Sequence, residues 1–255
     1  MRWLALVAAL WPACAMAQAG FDIVVLGEVH DNPAHHLTQA RIVAGLKPAA
    51  VVWEMLPPDA AARVAGVGTE DAGRLAAALG WEALGWPDFA IYHPVFVAAG
   101  EAVHLGAALP GPDVRRAYEA GAVAVFGQDA AAFGLGPLDP ADQAAREAEQ
   151  AAAHCGALPQ EMLPGMVEVQ RLRDAAFART ALAAFDARGG PVVVITGTGH
   201  ARRDRGVPAA IGAARPEVRV WALGQFEAEP EAGAPFDAVA VADAPPRADP
   251  CAVFD

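Results

Sequence analysis

Two apolar runs that each end on a glycine turn carrying a histidine constrain this chain most: Phe21-Asp22-Ile23-Val24-Val25-Leu26 before Gly27-Glu28-Val29-His30, and Val192-Val193-Val194-Ile195 before Thr196-Gly197-Thr198-Gly199-His200. Each run reads as a buried strand, and glycine lets the chain turn sharply at the sheet edge. Asp31-Asn32-Pro33 then offers a helix start, and helical periodicity continues over 33–47. After Pro48 comes a second apolar run, Ala49-Ala50-Val51-Val52-Trp53, with Glu54 at its end. A right-handed β-helix-β crossover makes these first two strands parallel, normally close in the sheet, with their carboxyl ends on one side. Glu54 is thereby expected near His30 despite the sequence gap.

The rest of the chain continues the alternation. Helices are expected over 70–79, 89–99, 112–120, 141–153 and from Pro164 to about Phe185, with a short one at Val207–Ile211. Further strands are expected at Val103–Leu105, Val218–Leu223 and Phe236–Val241, and Gly121–Phe126 reads as a short apolar strand or loop. Residues 127–140 and 227–235 read as loops, and the Pro-rich stretch after Ala244 as a loose end. Together these elements predict a single α/β domain over 20–255, built on a central mixed or mostly parallel sheet flanked by helices.

Residues 1–19 are set apart. A basic Met1-Arg2, an apolar Trp3–Trp11 and a small-x-small Ala17-Gln18-Ala19 before Gly20 make a secretory signal peptide. The apolar stretch is too short for the roughly 20 residues of a membrane span. Trp11-Pro12-Ala13 is also a poor match to the residues expected before a lipidated Cys14. The mature chain then keeps Cys155 and Cys251, which an oxidising compartment allows to pair and which can equally stand as separate thiols. A formal net charge of -12 argues against a nucleic-acid partner, whose phosphates need a concentrated basic face. Arg202-Arg203-Asp204-Arg205 is instead a local cluster suited to an anion beside a cleft.

The two Gly-x-x-His turns, with Glu28, Glu54 and Asp31, supply nitrogen and oxygen donors of the kind that hold Zn, Mn, Co or Fe. The same residues can equally form a hydrogen-bonded scaffold around a pocket. His35 and His36 point about 100 degrees apart on a helix, so both need not reach one centre. His93, His104 and His154 read as structural or surface histidines. On the helix after Pro164, Gln170, Arg173 and Asp174 form a polar strip that either faces the sheet ends or is solvated. Trp81, Trp86, Phe89, Tyr92 and Phe96 read as core packing or as a cofactor wall. No dinucleotide or phosphate-loop glycine motif is present, nor a Cys-x-x-Cys, and the sequence contains no serine, which removes serine hydrolysis.

The ordered set Gly27–His36, Glu54-Met55, Gly85-Trp86-Pro87 with Tyr92-His93-Pro94, Met166 with Gln170 and Arg173-Asp174, and Gly197–His200 with Val207-Pro208 resembles the ChaN-like haem-binding uptake proteins, within the Tiki, TraB and erythromycin-esterase superfamily. The resemblance spans most of residues 21–225. It implies a periplasmic or outer-membrane-associated protein of haem or iron acquisition, working with outer-membrane uptake machinery. It also implies haem or an iron complex held between subunits of a homodimer. A tyrosine iron ligand must be Tyr92 or Tyr118, and Tyr92 lies in the family-like segment. His35, His36, Gln170, Arg173 and Arg202 are the other cofactor-binding candidates. The Tiki and TraB side implies an alternative: hydrolysis on a divalent metal held by His30, His200, Glu54 and Glu28, with the same four as catalytic groups.

Overall fold

The computed structural model describes residues 20–249 and 251–252, so the expected signal peptide lies outside the described residues. β1 (Ile23–Glu28) leads to α1 (Pro33–Leu46), whose start is set by Asn32: its side chain accepts from the Ala34 amide, and Pro33 occupies the first turn. α1 ends at Lys47, which adopts the left-handed conformation. β2 (Ala50–Trp53) is followed by three short helices and turns, α2 (Pro58–Ala62), α3 (Val64–Val67) and α4 (Ala72–Leu79), then α5 (Trp81–Leu84) and α6 (Phe89–Ala99). β3 (Val103–Gly106), α7 (Gly111–Ala120), α8 (Ala122–Phe126) and α9 (Pro140–Ala153) precede the long α10 (Leu163–Arg188). β4 (Val192–Gly197), a 3-10 turn at Thr198–Ala201, α11 (Val207–Ala214), β5 (Val220–Phe226) and β6 (Ala238–Val241) complete the described fold.

The six strands form one sheet in the order β3-β2-β4-β1-β5-β6, and every pairing is parallel. β1 and β2 are parallel as expected but not neighbours, because β4 enters between them. The register places Glu28 beside Gly197 and Trp53 beside Ile195. The ends of β1, β2 and β4 therefore lie side by side, which is where an open parallel sheet gathers functional groups.

Alternation along the strands divides the core. Val24, Leu26, Val51, Trp53, Val193 and Ile195 face α1, α4 and α6, while Ile23, Val25, Val52, Val192 and Val194 face α10 and α11. A third cluster seats α7, α8 and the following loop against α10. Two local expectations are corrected here. Residues 122–126 form a helix rather than a strand or loop, since Ala122 and Phe126 sit four apart and both pack toward α10. The tail after Ala244 is anchored: Arg247 pairs with Asp31 and Glu227, and Cys251 is disulfide-bonded to Cys155. Among the described residues no helix is long and apolar enough to cross a membrane.

Candidate functional site

Glu54, at the end of β2, is buried, and one of its oxygens, Oε2, accepts from Thr196 Oγ1 at 2.6 Å and from the Gly197 amide at 2.8 Å. Its other oxygen, Oε1, lies 3.5 Å from His200 Nε2. His200 Nδ1 in turn lies 2.6 Å from Asp174 Oδ1, and Gln170 Nε2 is 3.1 Å from the same ring nitrogen. On the other side His30 Nδ1 is 2.9 Å from Glu28 Oε1, while Glu28 Oε2 accepts from Gln39 Nε2 at 2.8 Å. The sheet edge thus carries a row in which imidazoles and carboxylates alternate: Glu28, His30, Glu54, His200, Asp174.

Electrostatics oppose burial at Glu54, His30 and His200. Burial raises the pKa of Glu54, but the charges of His200 and His30 and the bonds from Thr196 and Gly197 outweigh it and hold the carboxyl below its ordinary range. Burial likewise opposes charge on His30 and His200, and their acidic neighbours win, so both imidazoles titrate above the ordinary histidine value. Asp174 goes the other way, because burial dominates over its pairing with His200.

These donors are largely committed to one another and to their neighbours. Glu28 divides its oxygens between His30 and Gln39, Glu54 Oε2 accepts from Thr196 and Gly197, and His200 Nδ1 is held by Asp174. Among the described residues no three His, Cys, Asp or Glu side chains are grouped so as to hold a metal ion. At the four residues expected to hold a divalent ion, His30, His200, Glu54 and Glu28, the structure shows a row of hydrogen bonds and close ion pairs, and the metallohydrolase alternative is not favoured.

Three of the expected cofactor contacts are also placed elsewhere. Tyr92 is fully buried, donates its hydroxyl to the His30 carbonyl at 3.0 Å and packs 4.1 Å from the His36 ring. Burial, reinforced by the Glu28 charge, pushes its phenol pKa far up, so the phenolate that binds ferric iron is disfavoured. His35 accepts the Val29 amide on Nδ1 at 3.0 Å, which leaves Nε2 to donate to the Phe226 carbonyl at 3.3 Å. His36 Nε2 donates to the His30 carbonyl at 2.9 Å, and its Nδ1 lies against Gln39 and Glu28. All three fix the first turn from behind.

Gln170, Arg173 and Arg202 do meet. They line a cavity of about 320 Å³ beside the row, together with Arg146, Arg205, His154 and Met166. A second depression of about 820 Å³ shares Glu149, Gly199 and Arg202 with it. Arg146 pairs with Asp142, Arg202 with Asp204, and Arg205 with Glu149. Arg173 has no ion-pair or hydrogen-bond partner among the described residues, although it lies close enough to His200 to act on its titration. In a chain of net charge -12, four guanidinium groups around one cavity mark a place for carboxylates or another anion. With an imidazole and a thioether on the same walls, the residue set fits an iron-bearing dicarboxylate such as haem. Sequence reasoning missed Arg146 and His154, which join the cavity only through the packing of α9 on α10. Asp174 was visible in the polar strip, but not as the partner of His200.

A parallel α/β sheet with its polar row and its cationic cavity at the strand carboxyl ends defines a ligand-binding domain of the open-sheet class. The model of the family described as haem-binding uptake, Tiki superfamily, ChaN matches residues 15–211, and the chain belongs to that family. Among solved structures it is similar to ChaN of Campylobacter jejuni, described for cofacial haem binding, at 19% identity and a TM-score of 0.67, covering 87% of this chain and 89% of that one. The type III effector HopBA1 aligns at 13% identity and a TM-score of 0.40 over 80% of this chain and 76% of the other. A succinoglycan biosynthesis protein aligns at 12% identity and 0.43 over 85% and 68%. No curated protein matches the chain.

Proposed function

We propose that this chain is a periplasmic haem-binding protein of iron acquisition, and that its haem site is the arginine-lined cavity at the carboxyl edge of the sheet. The observation that carries the proposal is Arg173, an uncompensated guanidinium on the wall of that cavity, in a chain whose family is one of haem-binding uptake. Arg173 and Arg202 hold the propionate carboxylates, and Gln170 orients the wall against His200. Haem would supply iron for delivery, and this chain supplies arginines for its carboxylates.

We further propose a second copy of the chain as the partner of the loaded form, and outer-membrane uptake machinery as the source of haem. The signal sequence, with Gly20 as the mature amino terminus, accounts for export. Ferric-haem titration of the exported protein tests the central claim. Saturable binding is expected, and Arg173→Gln should weaken it roughly tenfold or more, the worth of one charge-assisted hydrogen bond. Absence of saturable binding by the parent would remove the proposal.

A further inference from the structure

We infer that α9 is a lid on the arginine-lined cavity and that the Cys155–Cys251 disulfide is its latch, so that a dithiol reductant releases the lid. The inference goes beyond the haem reading and holds for whatever anion the cavity takes.

α9 and its cap supply one wall of the cavity through Arg146, Glu149, Gln150, Ala153 and His154, facing Gln170 and Arg173 on α10. Yet no side chain between residues 137 and 162 is buried. Most of the side-chain bonds of this stretch stay within it, from Arg146 to Asp142, from Gln143 to Glu147 and from His154 to the Gln150 carbonyl. Among the described residues the ion pairs that leave it are those of Glu149, with Arg202 at 3.6 Å and Arg205 at 3.2 Å. Glu149 is half exposed, and pairs in that setting contribute little. A segment with so few buried contacts belongs to the low end of local stability, so packing alone does not fix this wall.

The disulfide supplies what packing does not. Cys155 directly follows the cap of α9, and its φ of 58° is one that a non-glycine residue keeps only where something else holds it. Its partner Cys251 lies on the tail, where no side chain from Ala244 to Asp249 is buried, so the tail too depends on point anchors. Those anchors sit at the first turn: Asn32 donates to the Asp243 carbonyl at 3.0 Å, and Arg247 pairs with Asp31 and Glu227. The four residues from Arg247 to Cys251 reach at most about 14 Å, against about 28 Å for the eight from Asp243. Arg247 therefore halves the slack of a tether that ties the end of α9 to the turn carrying His30. Cys155 is exposed, which leaves the bond open to attack by a thiolate. Two electrons and two protons pass from the dithiol, which closes to its own disulfide, and Cys155 and Cys251 are left as separate thiols. The lid is then held by Glu149 alone, and as it swings away that carboxylate leaves Arg202 and Arg205 with it.

The test uses the full mature chain with its disulfide formed and no haem added, before and after treatment with the small dithiol dithiothreitol. Hydrogen exchange read by mass spectrometry follows the lid. Phenylglyoxal, which modifies arginines, follows access to Arg173, with exposed Arg41 on α1 as the internal reference. Reduction should speed exchange over 141–153 and modification of Arg173 by roughly tenfold or more, while Arg41 is unchanged and β1 and β4 stay protected over the same labelling times. Cys155→Ala combined with Cys251→Ala should show the fast pattern with no response to dithiothreitol, which separates loss of the bond from other effects of the reagent. Arg247→Gln should loosen α9 with the bond intact, and a variant as closed as the parent would overturn the tether. Equal rates over α9 and at Arg173 before and after reduction would overturn the lid. So would loss of protection in β1 and β4 together with α9, since the bond would then hold the whole fold rather than one wall. Either failure leaves the haem reading standing, because haem takes no part in the measurement.

Discussion

His104 carries a cost that only acid reveals. It lies beside the stacked Trp53–Phe96 pair, accepts the Trp53 indole N–H on Nδ1 at 2.9 Å, and leaves Nε2 without a partner among the described residues. Burial pushes its pKa down from 6.5 to about 4. The folded state therefore prefers neutral His104, while the unfolded chain takes up a proton as the pH falls below 6.5. This contribution is complete above that value and is lost progressively down to about pH 4, in total on the order of 3 kcal/mol. Denaturant titrations at pH 6.5 and 4.5 should show a smaller acid loss in His104→Phe than in the parent. An equal loss in both would assign the acid sensitivity to other groups. Glu54 tests the polar row in the same way. Glu54→Gln keeps the shape but removes the charge between His200 and His30, and should cost about 3 kcal/mol, the scale for breaking a buried pair. The His200 and His30 titrations, followed by NMR, should move down together; if neither moves, Glu54 is not what holds them up.

At the scale of elements, the close approaches around the second turn are sharper constraints than its histidine. A Cβ on Gly206, the residue that opens α11, would strike the carbonyls of His200 and Arg202, whereas one on Gly212 within α11 would meet nothing within 4 Å. Gly206→Ala should destabilise by about 1–3 kcal/mol through forced backbone shifts. Gly212→Ala should stabilise by about 0.5–1 kcal/mol. Thermal unfolding of the pair separates them, and equal midpoints would refute the packing argument. The β1-α1-β2 unit, the glycine turns and the strip on α10 were legible because local periodicity and caps specify them. Strand order was not, since nothing near β1 or β2 announces that β4 will enter between them. Nor was the fate of Tyr92 and His154. Tyr92 lies on α6 and His154 caps α9, and which one meets the core and which the cavity depends on how those helices dock.

The whole molecule is held together across its length by two long-range devices, the sheet and the Cys155–Cys251 bond. Closing so long a loop restrains the unfolded chain strongly, so Cys251→Ser should lower stability by about 2–5 kcal/mol. Equilibrium unfolding under oxidising conditions measures this, and a variant as stable as the parent would show that the bond does not contribute. The strand order also has a consequence in time. Ile23 pairs with Val192 on one side and Val220 on the other, so both neighbours of the first strand are encoded near the far end of the chain. Read out from its amino end, the polypeptide carries β1 with both edges bare until almost everything else has emerged. Native contacts of such sequence separation form slowly, because loop entropy is lost before pairing repays it. A chain arrested at Gly190 owns β1, β2 and β3 but not the strand that joins the first to the others. Such a fragment should show no cooperative unfolding transition, and mixing it with the separate piece 191–255 should restore one. For most of its synthesis this protein is an unfinished sheet awaiting its middle.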